Sequence, residues 1–194
     1  MKYCNLCGAE VEWRVPDGDT HSRHVCPQCS TVHYSNPKVV VGCLPRWNDQ
    51  VLMCKRAIEP RYGLWTLPAG FLEDNETTIE GAVRETWEEA GARVNVVGLY
   101  TLFNLPHANQ VYVMFLADLK TPEFGPGTES LEVKLYDEAD IPWSEIAFPV
   151  VEQTLKLFFE DRRRGRFGTH TGDIIRRPGP ERAFDIRMLI GERA

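Results

Sequence analysis

Three glutamates, Glu85, Glu88 and Glu89, fall within five consecutive residues of a stretch with helical apolar spacing. At roughly 100° per residue they converge on one narrow face. Ile79, Ala82, Val83, Thr86, Trp87 and Ala90 occupy roughly the opposite arc, which suits docking on a sheet. Like charges at this spacing destabilise an isolated helix. A divalent cation among them reverses the sign, and hard carboxylate oxygens suit Mg2+ or Mn2+. The plain alternative is a solvated acidic face. A second constellation lies near the N-terminus, where Cys4-x2-Cys7 and Cys26-x2-Cys29 are separated by eighteen residues. That is the spacing of two zinc knuckles, and four thiolates hold Zn2+ tetrahedrally. A redox pair is the rival, but it leaves the second C-x2-C without a role. His21, His24 and His33 lie nearby as possible substitute ligands.

The elements that must position these groups can be read along the chain. Residues 1–34 are polar and poor in apolar pattern, so a structural Zn2+ is the expected staple for this small segment. KVVVGCLP (38–45) and VLMCKR (51–56), joined at Asn48-Asp49, read as a hairpin. Cys43 and Cys54 are expected in the core of these adjacent strands. LWTLPAGF (64–71) is a third extended stretch. Thr77 as N-cap, Glu80 completing a capping box and Gly91 as the stop bound the acidic helix. VNVVGLYTLF (94–103), QVYVMFLADL (110–119) and SLEVKLYD (130–137) read as strands, and residues 149–165 as a second helix. The order describes an α/β sandwich with a mixed sheet between helices. The expected domains are a ribbon (1–34), an α/β domain (35–165) and a basic tail (166–194) to which no regular structure is assigned.

Formal net charge is −6, which disfavours a nucleic-acid partner for the surface as a whole. A small phosphorylated ligand stays compatible, because a bound cation inverts the local field. No apolar run is long enough to span a bilayer, and MKYCNLCGAE lacks a signal-peptide core. A cytoplasmic protein without membrane partners is the expectation.

The acidic helix belongs to a longer pattern. GFLEDNETTIEGAVRETWEEAGA (70–92) fits G-x5-E-x7-R-E-U-x-E-E-x-G-U, where U is bulky or aliphatic. Gly70, Glu76, Arg84, Glu85, Glu88, Glu89 and Gly91 fill the specified positions, with mild departures at Thr86 and Ala92. Seven such residues at fixed spacing rarely coincide by chance. The chain thereby resembles the Nudix hydrolases, which cleave a nucleoside diphosphate linked to another moiety. The resemblance implies a Nudix α/β/α sandwich with a mixed sheet, preceded by a small zinc ribbon. It implies Glu85 and Glu89 as principal Mg2+ (or Mn2+) ligands, Glu88 as a further ligand or water-orienting group, and the Ala69 carbonyl as a backbone ligand. Arg84 would hold the cluster through a charge-assisted pair with Glu76 or a box carboxylate. The general base in this family sometimes stands on a later loop, where Glu129 and Glu132 are available and Glu132 is favoured. Arg56 is the candidate phosphate ligand and Trp65 the candidate base-stacking aromatic. For Phe71, Phe103 and Tyr112 core packing is the default.

Two ribbon-bearing groups of the family compete. NADH pyrophosphatases and NAD-cap-removing enzymes carry a downstream S-Q-P-W-P-F-P motif, absent from residues 99–119. NPKVVVGCL, CKRAIEP, GLWTLPAGFLE, ESLEV, IPWSEIAF and THTGDIIRRPG are similar instead to the plant chloroplast FAD and ADP-ribose pyrophosphatases and their bacterial relatives. That similarity implies cleavage of FAD to FMN and AMP, or of ADP-ribose to AMP and ribose 5-phosphate, by a homodimer. The alternatives are an NADH or NAD-cap pyrophosphatase, and a nucleic-acid- or protein-binding regulator whose Nudix unit senses a ligand.

Overall fold

A computed structural model describes residues 1–179 and 183–189. Residues Met1–Pro37 form one unit and the chain from Lys38 a second. In the first, β1 (Glu12–Arg14), β2 (Arg23–Val25) and β3 (Val32–His33) make a three-stranded antiparallel sheet. The unit's only buried apolar side chains among the described residues are Cys4, Pro16, Val25 and Cys26. So little buried area cannot by itself offset the entropy of ordering the segment.

The second unit comprises β4 (Lys38–Trp47), β5 (Gln50–Arg56), β6 (Trp65–Thr66), β7 (Ala69–Phe71) and α1 (Thr78–Ala90). It continues with β8 (Val94–Leu105), β9 (Gln110–Leu119), β10 (Ser130–Tyr136), α2 (Pro149–Arg164), β11 (His170–Arg176) and β12 (Phe184–Leu189). The strands join in one sheet of order β10-β5-β4-β9-β8-β11-β12, with β6 on β5 and β7 on β4. The β4–β9 and β8–β11 ladders are parallel and the others antiparallel. Strand alternation explains the two layers. Val41 and Cys43 of β4, with Leu52 and Cys54 of β5, face one cluster that includes Ala82 and Ala90 of α1. Val40, Leu44, Val51 and Met53 face the other, filled by Leu155, Phe158 and Phe159 of α2. Cys43 and Cys54 are thus core thiols, as expected.

The sequence expectations for α1 hold at its ends and fail on its faces. Thr77 and Glu80 form the reciprocal capping box, and Gly91 closes the helix in the left-handed region at φ 57°. Yet Ile79 and Trp87 are about half exposed, whereas Glu89 is buried. The residues against the sheet are small, Gly81, Ala82, Thr86 and Ala90. They bring the helix so close that large side chains are pushed to its flanks, and Trp87 lies under the Arg93 guanidinium instead.

Of the segment 166–194, assigned as a tail without regular structure, residues 180–182 and 190–194 lie outside the described residues, and the rest differs from that assignment. Residues 170–176 extend the main sheet by pairing in parallel with β8 at Thr101–Asn104, and 184–189 pair back on them. One buried oxygen fastens this addition. Asp161 Oδ2 lies 2.7 Å from His170 Nε2 and accepts from the Tyr100 hydroxyl and the Gly168 amide, both at 3.3 Å. Asp161→Ala leaves those partners without a buried acceptor. It is expected to lower the unfolding free energy by about 3 kcal/mol in urea titration and to speed amide exchange across His170–Arg176. A loss under about 1 kcal/mol would contradict this role.

Candidate active site and zinc centre

The cleft arises where β4 and β5 part. They share only the pairs Arg46–Val51 and Trp47–Gln50 beside their turn, after which β6 and β7 fill the fork. β7 pairs with Val40–Gly42, which sets Ala69 and Gly70 against the acidic side of α1. Gly70 sits so close to the Glu85 carboxylate that a Cβ would collide with it. The Ala69 amide donates to Glu89 Oε2 at 3.3 Å. Burial, reinforced by the Glu85 charge, pushes Glu89 up to about 8, and burial raises Glu85 in the same direction.

Arg84 ties the cluster together. Its guanidinium donates to both oxygens of Glu76 (3.0 and 2.7 Å), to Glu85 (2.7 Å), to Glu88 (3.0 Å) and to the Phe71 carbonyl (3.2 Å). Its hydrogen bonds, with the Glu73 amide, draw Glu76 down to about 2. The expected pairing with Glu76 or a box carboxylate is therefore met by both at once.

A cavity of about 800 Å³ opens over these groups. Ala69, Arg84, Glu85, Glu88, Glu89 and Arg56 all line it. Arg56 is nearly buried, its Nε donating to the Pro60 carbonyl at 2.9 Å and its guanidinium 5.2 Å from the Phe148 ring centre. Two expected residues lie elsewhere. Glu132 is exposed and does not line the cavity, whereas Glu129 does. The register shift between Ser130 and Glu132 turns Glu132 onto the side of Tyr136, whose hydroxyl its charge helps to raise. Trp65 is only 3% exposed, packed edge-on to Tyr136 at 5.0 Å in the α2-side core. Its large apolar area is worth more there than against a ligand. Phe71 and Tyr112 do line the cavity, while Phe103 is fully buried. Sequence reading passed over His107, Phe148, Arg176 and Phe184, which also line the cavity. The paired isoleucines in HTGDIIR were the available signal for the strand that ends at Arg176.

Six glutamates and four arginines line the cavity, and Arg84 is already saturated by carboxylates. A diphosphate entering this net-negative space needs additional positive charge. Crowded hard oxygens with raised proton affinity fit a divalent cation such as Mg2+ or Mn2+. Glu85, Glu89 and Glu88 would hold it, with the Ala69 backbone alongside.

In the first unit, the sulfurs of Cys4, Cys7, Cys26 and Cys29 lie within 4.8 Å of one another, Cys7–Cys26 at 3.4 Å and Cys4–Cys29 at 3.7 Å. Sulfurs about 2.3 Å from a tetrahedral centre would be about 3.8 Å apart, so the set fits zinc. Gly8 and Ser30, each following the second cysteine of its pair, take left-handed φ values of 77° and 58° that turn the knuckles. The hydroxyl of Thr31, 3.0 Å away, helps hold Cys29 down at about 6, toward the thiolate. None of the three histidines joins the four sulfurs.

The NUDIX domain profile matches residues 36–155, and the N-terminal zinc-ribbon profile of Nudix proteins matches residues 2–35. The chain belongs to the Nudix hydrolase family. A Nudix hydrolase from Nitrosomonas europaea is 54% identical, with a TM-score of 0.87 over 91% of this chain and 100% of that one. An NAD-capped RNA hydrolase NudC from Photobacterium profundum is 28% identical over 81% of this chain and 59% of its own length. An ADP-ribose pyrophosphatase from Methanocaldococcus jannaschii is 29% identical over 56% of this chain and 67% of its own. The chain thus spans about 59% of the length of that NudC relative. Among the described residues no helix of this Nudix protein is long and apolar enough to cross a membrane.

Two outcomes follow. Cys26→Ser should lower bound zinc by atomic emission to below about half the wild-type content, since one lost thiolate opens the tetrahedral site; undiminished zinc would contradict the four-sulfur centre. Glu89 binds a proton in the metal-free fold up to about pH 8 but, once unfolded, only up to its ordinary 4.5. Its contribution to stability therefore falls as pH rises between those values. In buffer free of added divalent ions the melting temperature should decline across that window, more in wild type than in Glu89→Gln. Added Mg2+ should restore it at pH 8; identical slopes in the two proteins would refute the assignment.

Proposed function

We propose that this Nudix protein is a divalent-metal-dependent pyrophosphatase acting on a nucleoside diphosphate linked to a second group, with FAD and ADP-ribose the preferred substrates. The observation that carries this reading is one cavity uniting Glu85, Glu88, Glu89 and Glu129 with Arg56 and an aromatic wall. Its volume of about 800 Å³ suits a ligand of dinucleotide size. The relatives named ADP-ribose pyrophosphatase and NAD-capped RNA hydrolase support the reaction class. The NudC relatives also favour a second reading, an NAD-cap substrate, although residues 99–119 lack that group's S-Q-P-W-P-F-P motif.

Glu85, Glu88 and Glu89 would hold Mg2+, which would supply positive charge to offset that of the diphosphate and of the departing oxygen. Arg56 holds a non-bridging phosphate oxygen through its free guanidinium nitrogens. A water attacks one phosphorus, the anhydride P–O bond breaks, and its electron pair leaves on the other phosphate. Glu129 accepts the proton of that water as general base, taking the role that the sequence favoured for Glu132. Glu88 orients the water, and Arg84 acts as a positioning residue by fixing Glu76, Glu85 and Glu88. With FAD the products are FMN and AMP; with ADP-ribose they are AMP and ribose 5-phosphate.

A panel of FAD, ADP-ribose, NADH, NAD-capped RNA and nucleoside triphosphates, assayed with Mg2+ and Mn2+, tests the proposal. Glu85→Gln should cut kcat/KM about a thousandfold, or roughly 4 kcal/mol of transition-state stabilisation. Glu129→Gln should cost about a hundredfold in kcat, while Glu132→Gln stays within about twofold, as expected for a group outside the cavity. Absence of turnover on every member with either metal would sink the reading.

A further inference from the structure

The far wall of the cleft has no part in the chemistry just described. It is built by Phe184 and Arg176 from the terminal hairpin and by His107 from the turn after β8. Phe184 is half-buried, with part of its surface against the α2-side core and part on the cavity. Its ring centre lies 5.3 Å from that of His107, the planes tilted by 50°, so no ligand ring fits between them. A ligand ring can instead lie on their outer faces.

The two strands are fastened to each other and to β8. Arg176 pairs with Phe184 across it, Arg177 meets Asp185 at 2.6 Å, and the Asn104 amide donates to Asp173 at 2.9 Å. Ile174 is fully buried and Gly172 packs against Phe103 and the Arg187 carbonyl. An aromatic face fixed in advance binds without the cost of ordering a loop. The wall is also far enough from the acids. The ladder from β4, which carries β7, to β12 passes through four strand spacings, or roughly 19 Å of backbone. Both ends line the same cavity, so one ligand in it has the acids on one side and Phe184 on the other.

We infer that the β11–β12 hairpin is the substrate-selecting wall, and that Phe184 with His107 stacks the planar heteroaromatic ring of a nucleotide whose phosphate lies toward the acidic cluster. The inference builds on the pyrophosphatase reading and names the element that distinguishes ring-bearing ligands. It is tested by binding, independently of turnover. The full-length, zinc-loaded chain is titrated calorimetrically, in Mg2+, with AMP, FMN and ribose 5-phosphate. At least one of the two ring-bearing phosphates should bind about tenfold more tightly than ribose 5-phosphate, within the usual range for one base stacked on an aromatic. Phe184→Ala should abolish that preference, Phe184→Trp should keep it, and Phe184→Leu, apolar but not flat, should lose it.

No preference in wild type overturns the inference. So does a preference that survives in Phe184→Leu, because packing alone would then account for the residue. A ring preference that obeys Phe184 while no substrate of the panel is turned over would instead defeat the pyrophosphatase reading and leave the wall standing.

Discussion

Two carboxylates, Glu85 and Glu89, are held one helical turn apart against the backbone of Ala69 and Gly70, where water reaches them poorly. Burial and mutual repulsion raise the proton affinity of Glu89 to about 8, so the fold carries an electrostatic debt in its metal-free form. A divalent cation held by the pair would settle it, and would supply the positive charge that a diphosphate needs in a cavity lined by more glutamates than arginines. Stability and chemistry would then be coupled through one pair of side chains.

The surrounding structure serves this placement. Gly70 has no Cβ because Glu85 occupies the space, and the small residues of α1 let the helix approach β4 closely enough to bring Glu89 under β7. The capping box fixes where α1 begins, so Glu76 comes within reach of Arg84. Arg84 then holds three acids in one plane of hydrogen bonds that its fork geometry favours. The early parting of β4 from β5 leaves the gap, and Arg56, at the far end of β5, delivers its charge there.

What could be read from residues alone follows the range of the forces involved. The acidic cluster was legible because its members share one continuous helix, where spacing converts directly into geometry. The cysteine pairs were legible for the same local reason. Glu132 and Glu129 were both legible as candidates, but which of them faces the cleft depends on a shift in register between Ser130 and Glu132 that has no local signature. Trp65 looked like a ligand platform from its place beside the box, but Tyr136, distant in sequence, buries it. The terminal hairpin was missed because β11 is stabilised by parallel pairing with β8, a contact with no local signature. The ring of Phe184 reaches the cleft only through that long-range pairing.

The buried carboxylates Glu85 and Glu89 would together form a divalent-cation site. Titration of the zinc-loaded chain with Mn2+, followed by electron paramagnetic resonance of the free ion, tests it most directly. Wild-type protein should remove Mn2+ from the free pool at stoichiometric amounts, and Glu85→Gln or Glu89→Gln should bind at least about tenfold more weakly, as expected on losing a charged oxygen ligand. Equal Mn2+ affinity in wild type and both variants would show that these carboxylates hold no divalent cation.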